Sequence, residues 1–362
     1  MGRRLITGAG AVTWAGFGLE PVASVLAGEA PPFVTEELSD GVSVQVGRVG
    51  AVKDPDSAAT YRRWGQVDTY SRYGYIAARL ALQQAGLGDG ERDAYGVFLG
   101  TAFGCMEENQ RFDRYKVTDD GVLKGASPLV FKGTVDNAPA GWIAVAFKLR
   151  GPNATFVSGD GAGAESLWAG ARQIQAGRAP GLLCGGVERF VDLHLALREQ
   201  DARWQADVLS EGAGVILVED AAAAAARGAT AMAEVLGVVR HRGSITEGLQ
   251  AIGVRLGLRL DEVGLISLSV PDEARLVEER EAFVAAATKG GHDGALGGLD
   301  FVADKILLGE FHGAWGGVAV CAALTRRQAG EGWNGRRYAL VEVHGEGDEH
   351  FYVALGEPSD AE

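Results

Sequence analysis

The sequence predicts an α/β protein in which helices pack on β-sheets. Two observations carry that expectation. Short apolar runs alternate with segments of helical periodicity along the whole chain, as strands and helices taking turns would require. The 54 glycines sit inside hydrophobic stretches rather than in one low-complexity tract, which suits tight turns and close backbone packing and not disorder. At 362 residues, the chain can hold one large core or two fused halves.

Strands are expected at Arg4–Thr7, Tyr95–Leu99, Thr155–Val157, Leu182–Cys184 and Ala213–Val218. Further strands are expected at Ala231–Val239, Leu265–Val270, Asp304–Leu308, Tyr338–Val343 and Phe351–Leu355. Helical spacing marks Tyr70–Ala85, Ala140–Phe147, Ala164–Ala176, Thr246–Leu256, Glu273–Ala287 and Gly316–Leu324. The alanine run Ala221–Ala226 follows Glu219-Asp220, acids that suit a helix N-terminus. No Pro- or Ser-rich linker is present, a soft boundary falls near residue 235, and the tail after Gly356 is expected to fray.

The formal net charge is −14, which disfavours general nucleic-acid binding, since that needs a positive field. The pairs Arg62-Arg63 and Arg326-Arg327 read as solvated surface, with an acidic partner as the alternative. Cys105, Cys184 and Cys321 form no CxxC pair, so no zinc site and no other metal or cofactor is expected. Cys184 and Cys321 lie in apolar runs and read as buried core. Free thiols, no secretory leader and no membrane-length apolar run point to the cytoplasm and to no membrane partner.

The segment Leu5–Gly16 contains Gly8-x-Gly10 after a strand, which invites a dinucleotide-binding reading. Its third glycine is displaced, no acid-ended strand follows, and Pro31-Pro32 comes instead. A tight turn beneath the sheet is expected there.

Several separate segments are shared with a known family. They are Arg3–Thr13, Tyr70–Leu87, Leu99–Gly104, Val135–Ala144 with Leu149–Thr155, Leu183–Glu188 and Ser210–Asp220. In order and spacing they resemble the β-ketoacyl synthase branch of the thiolase fold over most of residues 1–235. Lys305–Gly309 and Gly313–Gly317 extend the likeness more weakly. The resemblance implies two related α/β halves, residues 1–235 and a shortened 236–362, layered α-β-α-β-α.

That family uses a thiolate on a strained turn to take an acyl group from a carrier-protein thioester, and two histidines to assist decarboxylation of the extender. In this sequence the cysteine position falls on Asp160. The first histidine belongs in Ser267–Asp272, where there is none. Glu310 stands at the second, with His312 two residues on as a displaced substitute, and Lys305 is kept. The glycine-rich gate aligns with His344–His350 and departs from the usual apolar pattern.

A carboxylate cannot replace a thiolate, because it is a weak nucleophile and its acyl product would be a mixed anhydride. The resemblance therefore implies a chain-length-factor-like subunit. Such a subunit pairs with a cysteine-bearing ketosynthase homologue, receives acyl carrier protein and shapes the acyl tunnel in type II polyketide, aryl-polyene or fatty-acid-like biosynthesis. The subunits of the family meet through the strand before the nucleophile, here Ala154–Ser158. Phe103, Met106 and Gln110 fall three and four apart and share a face if helical, as a tunnel floor or as ordinary dimer-core packing. Two other readings stay open. One is a free-standing decarboxylase or hydrolase of acyl thioesters using Asp160 with Glu310 or His312, set against Asp160 as a helix cap or an inert replacement. The other is a homodimeric binder of acyl chains or carrier protein.

Overall fold

The structure is a computed structural model. It describes residues 2–37, 41, 43–50, 52, 54–116, 127–195, 208–290, 296–330 and 333–358. The end of the tail expected to fray lies outside the described residues.

Ten strands lie on one continuous path. They are β1 (Arg4–Thr13), β2 (Gly96–Thr101), β3 (Asn153–Val157), β4 (Gly181–Glu188), β5 (Gly212–Asp220), β6 (Ala233–Arg242), β7 (Val263–Ser267), β8 (Asp300–Val302), β9 (Tyr338–His344) and β10 (Glu349–Gly356). The order is β8-β7-β9-β10-β6-β1-β5-β4-β2-β3. Read outward from the central β6–β1 pair, each half has the same plan. The first strand pairs antiparallel with the fifth and the fifth antiparallel with the fourth. The fourth then pairs parallel with the second, and the second parallel with the third. The chain is therefore built from two topologically equivalent α/β halves.

The helices used below are α1 (Leu19–Leu26), α2 (Thr69–Gln84), α3 (Met106–Lys116), α4 (Ala138–Phe147) and α5 (Ala162–Gln175). They continue with α6 (Ala221–Ala226), α7 (Ile245–Leu256), α8 (Glu273–Lys289), α9 (Asp304–Leu308) and α10 (Trp315–Ala329). Three cores separate the layers. One joins α2 and α4 to the first half-sheet, a second surrounds α5 and α10 between the half-sheets, and a third packs α7 and α8 on the second. This gives the α-β-α-β-α layering. Helix starts are chemically specified: Asp68 accepts from Ser71 N for α2, Asp220 from Ala222 N for α6, and Ser244 with Glu247 form a capping box for α7.

The glycines make the central contacts possible. A Cβ on Gly317 would lie 1.9 Å from the Gly214 carbonyl oxygen, and one on Gly316 would lie 2.3 Å from Ala164 N. So α10 rests directly on backbone and is buried over most of its length.

Three expectations are corrected. Gly8 and Gly10 form no turn, because β1 runs straight through them and the chain turns only after Thr13. Their missing side chains let α2 lie on the strand, since a Cβ at Gly8 would meet the Ala81 carbonyl oxygen at 2.0 Å. Asp304–Leu308 is helix α9 and not a strand, a short apolar run whose period the sequence leaves ambiguous. Arg326-Arg327 is not a solvated pair: Arg326 holds the buried Asp304, and Arg327 donates to the Met232 carbonyl and stacks on Trp333. Arg62 and Arg63 are exposed, as expected.

Candidate functional site

The loop between β3 and α5 forms a sharp elbow. Gly159 adopts φ 69°, a left-handed conformation that glycine takes without strain, and a 3-10 turn, Gly159–Gly161, then feeds into α5. Asp160 stands on this elbow. It does not cap the helix: α5 starts with no side-chain cap hydrogen bond. Its Oδ1 lies instead 2.8 Å from His312 Nδ1.

His312 is delivered from the opposite side by the turn that precedes α10. Its φ is 45°, in the left-handed region where a side chain is disfavoured. The turn is held in place because Glu310 Oε1 accepts from His312 N at 2.6 Å. It is also wedged from below, since a Cβ on Gly313 would lie 2.3 Å from Ala102 N. Lys305, from α9, forms an ion pair with the buried Glu310. Thus Asp160, Glu310, His312 and Lys305 meet on one wall of a cavity of about 1060 Å³.

The charges are ordered. Burial pushes His312 down, but Glu310, the Asp160 hydrogen bond and charge, and Glu188 outweigh it and hold its pKa at about 9. Burial pushes the Asp160 carboxyl up, and the His312 contact reverses this to leave it below its ordinary range. At neutral pH the two are an imidazolium–carboxylate pair. Glu188 was not anticipated from the sequence. It ends the apolar strand β4 fully buried, and burial raises its pKa to about 7 although it accepts from Ala102 N and Phe103 N. The signal available was an acid closing the run Gly181–Val187.

Phe103 lies between two imidazoles, with ring centroids 4.2 Å from His194 and 4.9 Å from His312, and it lines the cavity. Met106 and Gln110 follow on α3. Gln110 borders a separate surface depression with Arg114 and Asp192. In the segment Ser267–Asp272, where the first family histidine would belong, Ser269 is buried. It donates through Oγ to the Glu342 carbonyl, and that Oγ accepts from Trp315 Nε1. All three cysteines are buried and unpaired, and none lines this cavity. No helix among the described residues is long and apolar enough to cross a membrane.

Comparisons with known proteins bear on the family and the fold. Residues 44–224 match the family described as "Beta-ketoacyl synthase, N-terminal domain". The chain is 30% identical over 269 residues to 3-oxoacyl-[acyl-carrier-protein] synthase 2 of Rhizobium meliloti (strain 1021), covering 66% of this chain and 63% of that protein. It is 30% identical over 225 residues to nodulation protein E of Rhizobium leguminosarum bv. trifolii, covering 57% and 54%. The matched part therefore spans less than two thirds of the length of these relatives.

Among solved structures, "The ishigamide ketosynthase/chain length factor" superposes with a TM-score of 0.80 at 19% identity, covering 99% of this chain and 100% of that one. A type II PKS acyl-carrier protein in complex with its ketosynthase gives 0.77 at 17% identity, covering 99% and 100%. These likenesses establish the thiolase-like fold. Together with the sequence match and the elbow at residue 160, they lead to one conclusion: the chain belongs to the β-ketoacyl synthase family.

Proposed function

We propose that this chain is a non-condensing, chain-length-factor-like subunit that pairs with a cysteine-bearing ketosynthase in a type II polyketide, aryl-polyene or fatty-acid-like pathway. One observation carries the reading. The nucleophile position holds Asp160, already engaged by His312, and no thiol reaches the cavity. Acyl transfer from a carrier-protein thioester needs a nucleophile that can form a stable acyl intermediate, and this cavity offers no thiol, while the hydroxyls of its serines Ser158, Ser244 and Ser269 already donate to Glu165, Glu247 and the Glu342 carbonyl.

The pairing surface in this reading is β3. It is one of the two edge strands of the sheet and, among the described residues, pairs with β2 alone. Its Val157 is 55% exposed, as is Val145 at 62% on the adjoining α4. An apolar edge of this kind calls for a covering partner. In the pair, the segment Phe103–Gln110 would supply the wall that stops chain growth, since a packed wall cannot admit another two-carbon unit without overpacking. Co-expression of the untagged chain with a tagged cysteine-bearing ketosynthase from the same gene neighbourhood tests the pairing. A one-to-one complex is expected, and a stable homodimer that ignores the ketosynthase would contradict it.

A second reading rests on a different observation. An imidazolium fixed beside the cavity can stabilise the enolate formed when a malonyl thioester loses CO₂. The chain alone would then convert malonyl- to acetyl-carrier protein, a reaction that intact-protein mass spectrometry reads directly. Dependence of this conversion on His312 would favour that reading.

A further inference from the structure

The hairpin β9–β10 brings three potential metal ligands to one face. Glu342 and His344 are two residues apart on β9 and so project to the same side. His350 is the direct cross-strand partner of His344. The two imidazole centroids lie 5.0 Å apart, and His350 Nδ1 is 2.7 Å from Glu342 Oε1. One ligating atom from each of the three lies within 4.8 Å of the others. All three line the cavity that holds Asp160 and His312.

The carboxylate is fixed from behind. Glu342 Oε2 accepts from Ser269 N at 2.7 Å, and Ser269 is itself held by Trp315. Oε1 is thereby turned toward the histidines. Support of this kind orients a ligating carboxylate. A structural Glu342–His350 ion pair would account for two of the three residues. It leaves His344, half-buried at the cavity surface, without a reason. The nearby positive charge of Lys305, in the same cavity, is paired with Glu310.

We propose that Glu342, His344 and His350 bind one divalent transition-metal ion in the cavity wall. Two imidazoles and one carboxylate make a borderline N/O donor set that suits Zn²⁺ and its neighbours better than Mg²⁺ or Ca²⁺, which prefer all-oxygen shells. Three protein ligands leave a coordination position facing the cavity. Bound there, the ion would act as a Lewis acid on a carbonyl oxygen of whatever occupies the cavity. Sequence spacing gives no hint of the site, because its ligands come together only through the register of the hairpin.

The test uses the full-length, tag-free chain, stripped with a chelator and titrated with ZnCl₂ by calorimetry, with metal content measured after dialysis. One Zn²⁺ per chain is expected. His344→Ala is expected to weaken binding at least tenfold, and Glu342→Gln likewise. His241→Ala should bind as the unmodified chain does: His241 lies opposite His350 on β6 but outside the ligand group. Should Glu342→Gln fail to fold, the half-buried His344 decides the matter. Absence of saturable binding, or equal affinity in His344→Ala, would overturn the proposal. Neither result bears on the pairing with a ketosynthase, which is read from complex formation.

Discussion

Asp160 Oδ1 and His312 Nδ1 lie 2.8 Å apart although 152 residues of chain separate them. The contact ties the β3–α5 elbow to the turn before α10, and it joins two groups whose pKa values are displaced in opposite directions. His312 is faced by Asp160, Glu310 and Glu188, with the rings of Phe103 and, beyond it, His194 on its other side. Its pKa rises to about 9 from an ordinary 6.5. The stability it contributes is complete below about pH 6.5 and is lost as pH rises through about 9, on the order of 3 kcal/mol across that window. Asp160, with its pKa depressed, contributes stability above the ordinary carboxylate range and loses it in acid. An NMR titration of the His312 ring should give a midpoint near 9, falling toward the ordinary value in Asp160→Asn. A midpoint near 6.5 in the unmodified chain would contradict the ion pair.

Restoring the thiol should not restore the enzyme. Asp160→Cys places a thiol on the elbow beside α5, where iodoacetamide should alkylate it. Condensation by the chain alone should still be absent, because Glu310 and the Ser267–Asp272 segment supply neither family histidine. Two missing acid–base groups cost a factor on the order of 10⁴ or more together. Robust ketoacyl product from the single variant, detected by mass spectrometry, would show that the missing thiol alone prevents condensation.

The glycine content makes a contrasting pair of stability predictions. Gly317→Ala drives a methyl to within 1.9 Å of the Gly214 carbonyl oxygen. It should cost about 3 kcal/mol or more, seen as a lower Tm. Gly253, in α7, meets nothing closer than 3.9 Å. Gly253→Ala should be neutral or stabilising by up to about 1 kcal/mol through helix propensity. Similar losses from both would undermine the close-packing account of the central helices.

Charge on the edge strand should block pairing without harming the fold. Val157 is exposed, so Val157→Arg should leave the folding free energy within about 0.5 kcal/mol of the parent while abolishing co-purification with the ketosynthase. Unchanged complex formation would move the interface elsewhere.

The alternation of strand and helix was legible because each element is long and its apolar period clear; β5, β9, α2 and α5 fall within a few residues of expectation. Asp304–Leu308 was not, because one helical turn and one short strand look alike in a five-residue apolar run. Gly8-x-Gly10 misled because a glycine that makes room for a neighbouring helix and one that makes a turn are the same letter. At the site, Asp160, Glu310 and His312 were named from the family's motif positions, but their pairing was not visible, nor was Glu188. Pairing is set by how the β3–α5 elbow and the turn before α10 meet in space. The Glu342, His344 and His350 cluster was equally hidden, since it exists only once β9 and β10 are in register.

The central claim is that this chain completes a condensing enzyme without forming the acyl intermediate itself. It is tested most directly by incubating the co-purified pair with acyl- and malonyl-loaded carrier protein and weighing both subunits by intact mass spectrometry. The account predicts an acyl adduct on the cysteine-bearing subunit only. It also predicts that product forms with Asp160→Asn and disappears when the partner's active cysteine is replaced by alanine. An acyl adduct on this chain, or product that survives loss of the partner's cysteine, would contradict it.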